Sequence, residues 1–227
     1  MAERAYCVDL GRLEYLAALD LQHKIVAARQ AGRIPDVLLL VEHDPVITVG
    51  RRGRREHILA SAELLAMVGI AVHTVERGGD VTYHGPGQLV GYPILRLQDY
   101  RLGAADYMHK LEDVLLAVLA DMGLAGHRRE GIIGVWIGPD KVAALGARIE
   151  RGVSYHGFAL NVSTDLRHFG FIVPCGITDG GVTSLEQATG KPVIWGTVLE
   201  RVCHHFAELF HVELERISRE RLAQLLS

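Results

Sequence analysis

The chain predicts an α+β fold: a mixed β-sheet with helices packed on it. Short apolar or alternating runs, such as Val37 to Val41 and Ile70 to Glu76, interleave with stretches of helical periodicity such as Ala104 to Met122. The two kinds do not follow a strict βαβ alternation, which disfavours a doubly wound parallel sheet. With 227 residues, 49% apolar and 22% charged, the chain can bury a real core in one large domain or two small ones.

Taken in order, Leu13 to Ala31 reads as an amphipathic helix with an apolar stripe of Leu13, Leu16, Ala17, Ile25 and Ala28, ended by Gly32 and Pro35. Val37 to Val41 and Val46 to Val49 read as strands on either side of a His43-Asp44-Pro45 turn. Ser61 caps a helix through Met67, and Gly69 stops it. Ile70 to Glu76 alternates as a strand, Arg77 to Gln88 reads as a Gly-rich loop, and Leu89 to Leu95 as a strand. Ala104 to Met122 is a helix with Leu111, Leu115, Val118 and Leu119 on one side. Ile132 to Ile137, Lys141 to Glu150 and Val153 to Val162 form a meander with turns at Pro139-Asp140 and Gly152. Thr183 with Glu186 matches a capping box for a short helix, and Gly196 to Phe210 and Arg219 to Leu226 are closing helices. No repeat, low-complexity tract or linker divides the chain.

The formal net charge of -3 gives no bulk attraction for nucleic acid. Only Lys24, Lys110, Lys141 and Lys191 are lysines; arginine carries the remaining positive charge. Three cysteines, Cys7, Cys175 and Cys203, make no disulfide framework. Met1 to Leu10 carries Glu3, Arg4 and Asp9 and lacks the apolar core of a signal peptide. The purely aliphatic stretches are too short to span a bilayer. These features lead to the expectation of a reducing cytoplasm and no membrane association.

Four segments carry candidate chemistry. The loop Arg77-Gly78-Gly79-Asp80-Val81-Thr82-Tyr83-His84-Gly85-Pro86-Gly87-Gln88 concentrates glycines that let a backbone approach a ligand closely. It is neither a P-loop nor a dinucleotide fingerprint, and a long hairpin turn fits its composition equally well. In Val173-Pro174-Cys175-Gly176-Ile177, Pro174 fixes the local backbone and Gly176 leaves the sulfur unshielded. Such a setting can present a thiol, although a free cysteine is more often a small buried hydrophobe. Lys141 opens the small-residue run Val142 to Ala147. Burial there would lower its pKa and suit acid/base work, while a solvated lysine after a Pro-Asp turn is the commoner case. Arg51, Arg52, Arg54 and Arg55 could dock an acidic partner or bind phosphate, and a solvated loop explains them as well.

Twelve histidines raise the question of metal, but HExxH, CxxC and i, i+4 His pairs are absent. His204 and His205 are adjacent, hence about 100° apart on a helix. No metal site is expected. His84 and His156 share a Tyr-His-Gly context. Cys7 and Cys203, inside a predicted strand and helix, read as core.

Arg77 to Gln88 closely resembles the signature of lipoate-biosynthesis octanoyltransferases, also called lipoyl(octanoyl) transferases. Lys141 with Ala144-Leu145-Gly146, Ser154-Tyr155-His156-Gly157-Phe158-Ala159-Leu160-Asn161, and Pro174-Cys175-Gly176 match in kind and order. His43-Asp44-Pro45 and Thr48-Val49-Gly50-Arg51 resemble the family's early segment. The likeness spans roughly residues 35 to 185. It implies the fold of the biotin and lipoate protein ligase superfamily, with residues 1–227 as a single catalytic domain.

The resemblance further implies transfer of an octanoyl group from acyl carrier protein to a lysine ε-amine on apo lipoyl domains. Those domains belong to 2-oxoacid dehydrogenase complexes and the glycine cleavage H protein. By the same resemblance Cys175 is the nucleophile and Lys141 the acid/base. Arg77 to His84, Ala144 to Gly146 and Gly157 to Ala159 are the substrate-binding segments. No cofactor is implied, since the thioester donor is already activated, and a monomer is the expected state. An ATP-dependent ligase on the same fold would not need Cys175, a carrier-binding module would need neither it nor Lys141, and a cysteine hydrolase would release free fatty acid.

Overall fold

The computed structural model describes residues 3–173 and 180–227. Its elements run β1 (Glu3–Arg12), α1 (Tyr15–Gln30), β2 (Asp36–Glu42), β3 (Val46–Val49), α2 (Ala62–Met67), β4 (Ala71–Thr74) and β5 (Val81–His84). They continue with β6 (Gln88–Ile94), α3 (Ala104–Asp121), β7 (Gly126–Arg129), β8 (Ile132–Ile137), β9 (Asp140–Glu150) and β10 (Val153–Asn161). The last are α4 (Leu185–Thr189), α5 (Trp195–Phe210), β11 (Val212–Arg216) and α6 (Arg219–Leu226).

Among the described residues, eight strands form one sheet in the order β11-β1-β2-β6-β10-β9-β8-β7. β1 pairs parallel with both β2 and β11, and the remaining ladders of that sheet are antiparallel. A second sheet, β4-β3-β5, is also mixed. The expected mixed sheet is therefore present. The apolar run Val37 to Val41 is explained by burial on both faces. Leu38 and Leu40 pack with α3 and α5, while Val37, Leu39 and Val41 pack with α1 and α6. The period of two along a strand sends alternate side chains to the two helical layers.

The antiparallel strands β8, β9 and β10 match the expected meander. Arg151 and Gly152, with φ of 48° and 80°, supply the left-handed pair of a tight hairpin turn between β9 and β10. Ser61 caps α2, its hydroxyl accepting from the Leu64 amide at 3.2 Å.

The structure corrects several expectations. Arg77 to Gln88 is not all loop: Val81–His84 forms β5, antiparallel to β3. Val81 and Tyr83 join the small core of Ile47, Val49, Leu65 and Phe169, which gives this stretch a reason to extend. The first helix begins at Tyr15, with the Glu14 carboxylate accepting from the Leu16 and Ala17 amides. Its buried face is Tyr15, Ala18, Leu19, Gln22, Ile25, Val26 and Ala28, so Leu16 turns outward. Buried Gln22 breaks the apolar pattern because its side chain accepts from the His156 amide at 2.8 Å. The cap of α4 is Ser184, accepting from the Gln187 amide, not Thr183. Thr183 is still extended there, donating its amide to the Lys141 carbonyl, and Glu186 accepts from the Val193 amide instead of closing a capping box. The short strands β7 and β11 carried no sequence signal strong enough to read.

Candidate active site

The two small-residue segments are partners across one ladder. Gly146 faces Gly157, Leu145 faces Phe158, and Ala144 faces Ala159. On the face shared by Ala144, Gly146, Gly157 and Ala159 the side chains are a methyl or absent, and β9 and β10 leave a narrow trough there. Its walls are completed by Arg77, Gly79, Thr82 and His84, and by Tyr15, Val90, Tyr92 and His156. Ten of the fourteen expected substrate-binding residues therefore meet around one cavity. Gly78, Asp80, Val81 and Tyr83 do not line it. In β5, alternation turns Thr82 and His84 to the cavity and Val81 and Tyr83 to the core. Gly78 instead pins the loop, donating its amide to the Ala147 carbonyl at 3.0 Å. The Asp80 carboxylate accepts from the Arg54 amide and pairs with His57.

Buried hydrogen bonds of one polarity hold these walls. Arg77 Nε donates to Thr48 Oγ1 at 3.0 Å, and its Nη2 to the Thr48 carbonyl at 2.7 Å. Thr48 Oγ1 lies 3.4 Å from His84 Nε2, and His84 Nδ1 is 2.8 Å from Gln88 Oε1. Gln88 Nε2 donates to Asn161 Oδ1 at 2.9 Å, and Asn161 Nδ2 to the Thr183 carbonyl at 3.0 Å. The carbonyl at the far end and the guanidinium at the near end dictate each donor. His84 thus carries its proton on Nδ1, and Thr48 donates to Nε2. Burial pushes the His84 imidazole well below its ordinary pKa, so it is neutral. His43 is held the same way: Nδ1 donates to the Leu13 carbonyl, Nε2 accepts from the Tyr92 hydroxyl, and burial lowers it to about 4.

His156 differs. Its backbone is left-handed, φ 53°, and its ring is 1% exposed. Among the described residues neither ring nitrogen has a hydrogen-bond partner, and burial lowers its pKa to about 3. A neutral, unpaired imidazole therefore stands in the cavity wall between Tyr155 and Tyr92.

Lys141 is buried, 6% exposed, which settles the choice between a solvated and an enclosed lysine. It stands near the start of β9, donating its amide to the Gly181 carbonyl. Its side chain lines a second cavity with Leu166, Phe169, Gly170 and Gly180 to Val182. A small space lined by Thr82, Lys141, Ala144, Ala159 and Phe169 lies between the two. Lys141 thus stands where the trough meets the segment that resumes at Gly180. Cys175, the expected nucleophile, lies outside the described residues, as do Pro174 and Gly176.

Sequence reasoning missed Tyr15, Thr48, Val90 and Tyr92 as wall or support residues. They come from three separate elements, Tyr15 from α1, Thr48 from β3 and Val90 with Tyr92 from β6, and only the tertiary fold brings them together. Among the described residues, His204, His205 and Glu208 approach one another, their ligating atoms all within 4.8 Å. The two rings lie 5.0 Å apart centre to centre, and His205 also pairs with Asp121 at 2.8 Å. No described helix is long and apolar enough to cross a membrane.

Residues 14–207 match the model of the lipoyl protein ligase A/B catalytic domain. An octanoyltransferase of Acidobacterium capsulatum is 49% identical over 217 residues, covering 89% of this chain and 87% of its own. An octanoyltransferase of Alkaliphilus metalliredigens is 47% identical over 208 residues, covering 91% of this chain and 95% of its own. The chain belongs to the octanoyltransferase family. The fold of this octanoyltransferase-family chain is shared with a bi-partite lipoate protein ligase of Thermoplasma acidophilum, at a TM-score of 0.78 and 17% identity. That match covers 99% of this chain and 91% of the other.

Proposed function

We propose that the chain, acting as one catalytic unit and as a monomer, transfers an octanoyl group from octanoyl-acyl carrier protein to a lysine of an apo lipoyl domain. The acceptors are the lipoyl domains of 2-oxoacid dehydrogenase complexes and the glycine cleavage H protein, and the reaction opens endogenous protein lipoylation. The observation that carries this reading is the place of Lys141: enclosed, at the junction of a narrow trough and the stretch Gly180 to Val182.

In this mechanism the Cys175 thiol gives its proton to Lys141, and the thiolate attacks the donor carbonyl. The carrier thiolate leaves and takes a proton from Lys141. The acyl-enzyme thioester is close in energy to the donor thioester, so this half is reversible. The acceptor amine then attacks the same carbonyl and gives up a proton through Lys141. Cys175 leaves as the thiol, and an amide replaces a thioester, which drives the reaction forward. The octanoyl chain occupies the trough between β9 and β10. Each methylene removed from water contributes about 0.8 kcal/mol, so tail length is a property the trough can select.

Intact-mass measurement after mixing with octanoyl-acyl carrier protein tests the scheme. One octanoyl group should appear on the chain without ATP, and should move to an apo lipoyl domain. Cys175→Ser should show no adduct, while Lys24, Lys110 and Lys191 should be replaceable. Transfer that required ATP and free octanoate, or that survived Cys175→Ser undiminished, would replace it with a ligase mechanism.

A further inference from the structure

We propose that Cys7 and Cys203 are a second thiol centre, one that closes into an intramolecular disulfide when the chain meets a small-molecule disulfide. The acyl-transfer scheme uses neither residue. Cys7 stands in β1 and Cys203 in α5, 196 positions apart in sequence, and both are buried. Their sulfur atoms are in contact at 3.4 Å. A disulfide requires about 2 Å, an approach that rotation of two small side chains can supply.

The surroundings make the two sulfurs unequal. Arg216 is the register partner of Cys7 across the β1–β11 ladder, and its guanidinium is held by both Glu200 carboxylate oxygens at 2.6 Å. The hydrogen bond shared with Cys7, joined by the Arg216 cation, holds the Cys203 thiol below its ordinary pKa. The same hydrogen bond, with burial, pushes the Cys7 thiol far up. With the Arg216 cation beside it, Cys203 is assigned as the attacking sulfur, and an exchange that began at Cys7 would give the same product. Beside Cys203 the Arg216–Glu200 pair has both side chains more than half exposed, free to swing aside.

The exchange is balanced as follows. The Cys203 thiolate attacks one sulfur of the probe disulfide and expels a thiolate, leaving a mixed disulfide on Cys203. That expelled thiolate takes the Cys7 proton. Cys7 then attacks Cys203 Sγ and expels the second probe thiolate, which is protonated by solvent. Two protein thiols are oxidised, and one disulfide is reduced to two thiols. The product joins β1, the strand next to the sheet edge, to α5 and closes almost the whole chain into one loop. Under a reducing thiol pool the pair stays open; as the pool oxidises it locks these two elements together.

The test uses the full chain carrying Cys175→Ser, which leaves only the two thiols in question, in buffers of oxidised and reduced glutathione. We expect both thiols to disappear together, the mass to fall by two hydrogens, and proteolysis to yield a Cys7–Cys203 linked peptide. The melting temperature should rise by about 5–15 °C and return on reduction, the range expected for a cross-link of this loop length. Cys7→Ala and Cys203→Ala, each in the same background, should abolish the rise. Two thiols persisting in fully oxidised glutathione would overturn the proposal. So would a lasting glutathione adduct on Cys203, an intermolecular disulfide, or a melting temperature that rises equally in the alanine variants.

Discussion

The Nζ atom of Lys141 lies 4.9 Å from the centroid of the Trp136 ring, and the two residues face each other across the β8–β9 ladder. The indole face attracts the ammonium by roughly 0.5–2 kcal/mol, so the ring fixes where the side chain stands. Removing the ring in Trp136→Leu should lower the transfer rate by up to about 10-fold, since about 1.4 kcal/mol of lost positioning corresponds to a factor of ten, and leave KM for the acyl donor little changed. Lys141→Arg keeps a cation that cannot surrender its proton, and Lys141→Ala removes the group. Both should lower transfer by about 10²-fold or more. Alkylation profiles and transfer rates that coincide with the unmodified chain would make Lys141 a bystander and return attention to His84 and His156.

The trough depends on backbone contact where side chains are missing. A Cβ on Gly146 would stand 2.7 Å from the Gly78 carbonyl oxygen, and one on Gly157 only 2.3 Å from the Gly91 carbonyl oxygen. Gly146→Ala should push the Arg77–Asp80 loop off β9, cost about 1–3 kcal/mol of stability and raise KM for the acyl donor. Gly157→Ala should do so more strongly. Gly196 in α5 has open space around its Cβ position, so Gly196→Ala should stabilise by about 0.5–1 kcal/mol and leave KM alone. Denaturation midpoints and KM for all three check the contrast; equal behaviour at Gly146 and Gly196 would remove the close-approach explanation.

Most of the trough was legible because its residues lie in continuous runs. Ala144, Gly146, Gly157 and Ala159 are small at alternate positions, and the Gly152 turn between their strands sets them opposite each other. The Arg77 to His84 motif was legible as a ligand loop, but its glycines concealed the strand within it, which exists only because β3 offers an edge. Gln22 looked like a surface residue of an amphipathic helix, since nothing local reveals that it meets the His156 amide 134 positions away. The same applies to the Arg77–Thr48–His84–Gln88–Asn161 chain of hydrogen bonds. Arg77, His84, Gln88 and Asn161 all lie in matched motifs, yet their order of donation is a property of the folded sheets. The contact of Cys7 with Cys203 had no signal at all, because two isolated core cysteines look alike whether or not they touch.

The arginine cluster sits directly on the candidate site. Arg51 and Arg52 donate their amides to the Arg77 and Gly79 carbonyls, and the side chains of Arg51, Arg52, Arg54 and Arg55 are exposed. If they steer an acidic carrier protein toward the trough, Arg52→Glu with Arg55→Glu should raise KM for carrier-bound octanoyl by about 10-fold at low salt. The difference should shrink as salt screens the charges, with a Debye length of about 8 Å at physiological ionic strength. A small octanoyl thioester lacking the carrier should show no change. Equal effects on both donors would make the cluster a solvated loop.

Acid stability follows from the buried imidazoles. An unfolded chain binds a proton on each histidine near pH 6.5. The folded chain keeps His43 neutral down to about 4 and His156 down to about 3, with His84 also well below the ordinary value, in each case chiefly through burial. Between those limits the unfolded state holds more protons, so stability is complete above about pH 6.5 and declines as pH falls toward the folded values. His43 and His156 each contribute on the order of a few kcal/mol to that decline, and His84 acts in the same direction. His156 is the cleanest probe, because no hydrogen bond is lost from its ring and its positive φ accepts asparagine. Urea midpoints measured at pH 7.5, 6.0 and 5.0 should fall steeply for the unmodified chain and less steeply for His156→Asn. Parallel curves would mean that His156 takes up its proton in the folded chain, paired with an acceptor such as Glu76 whose charge favours the imidazolium.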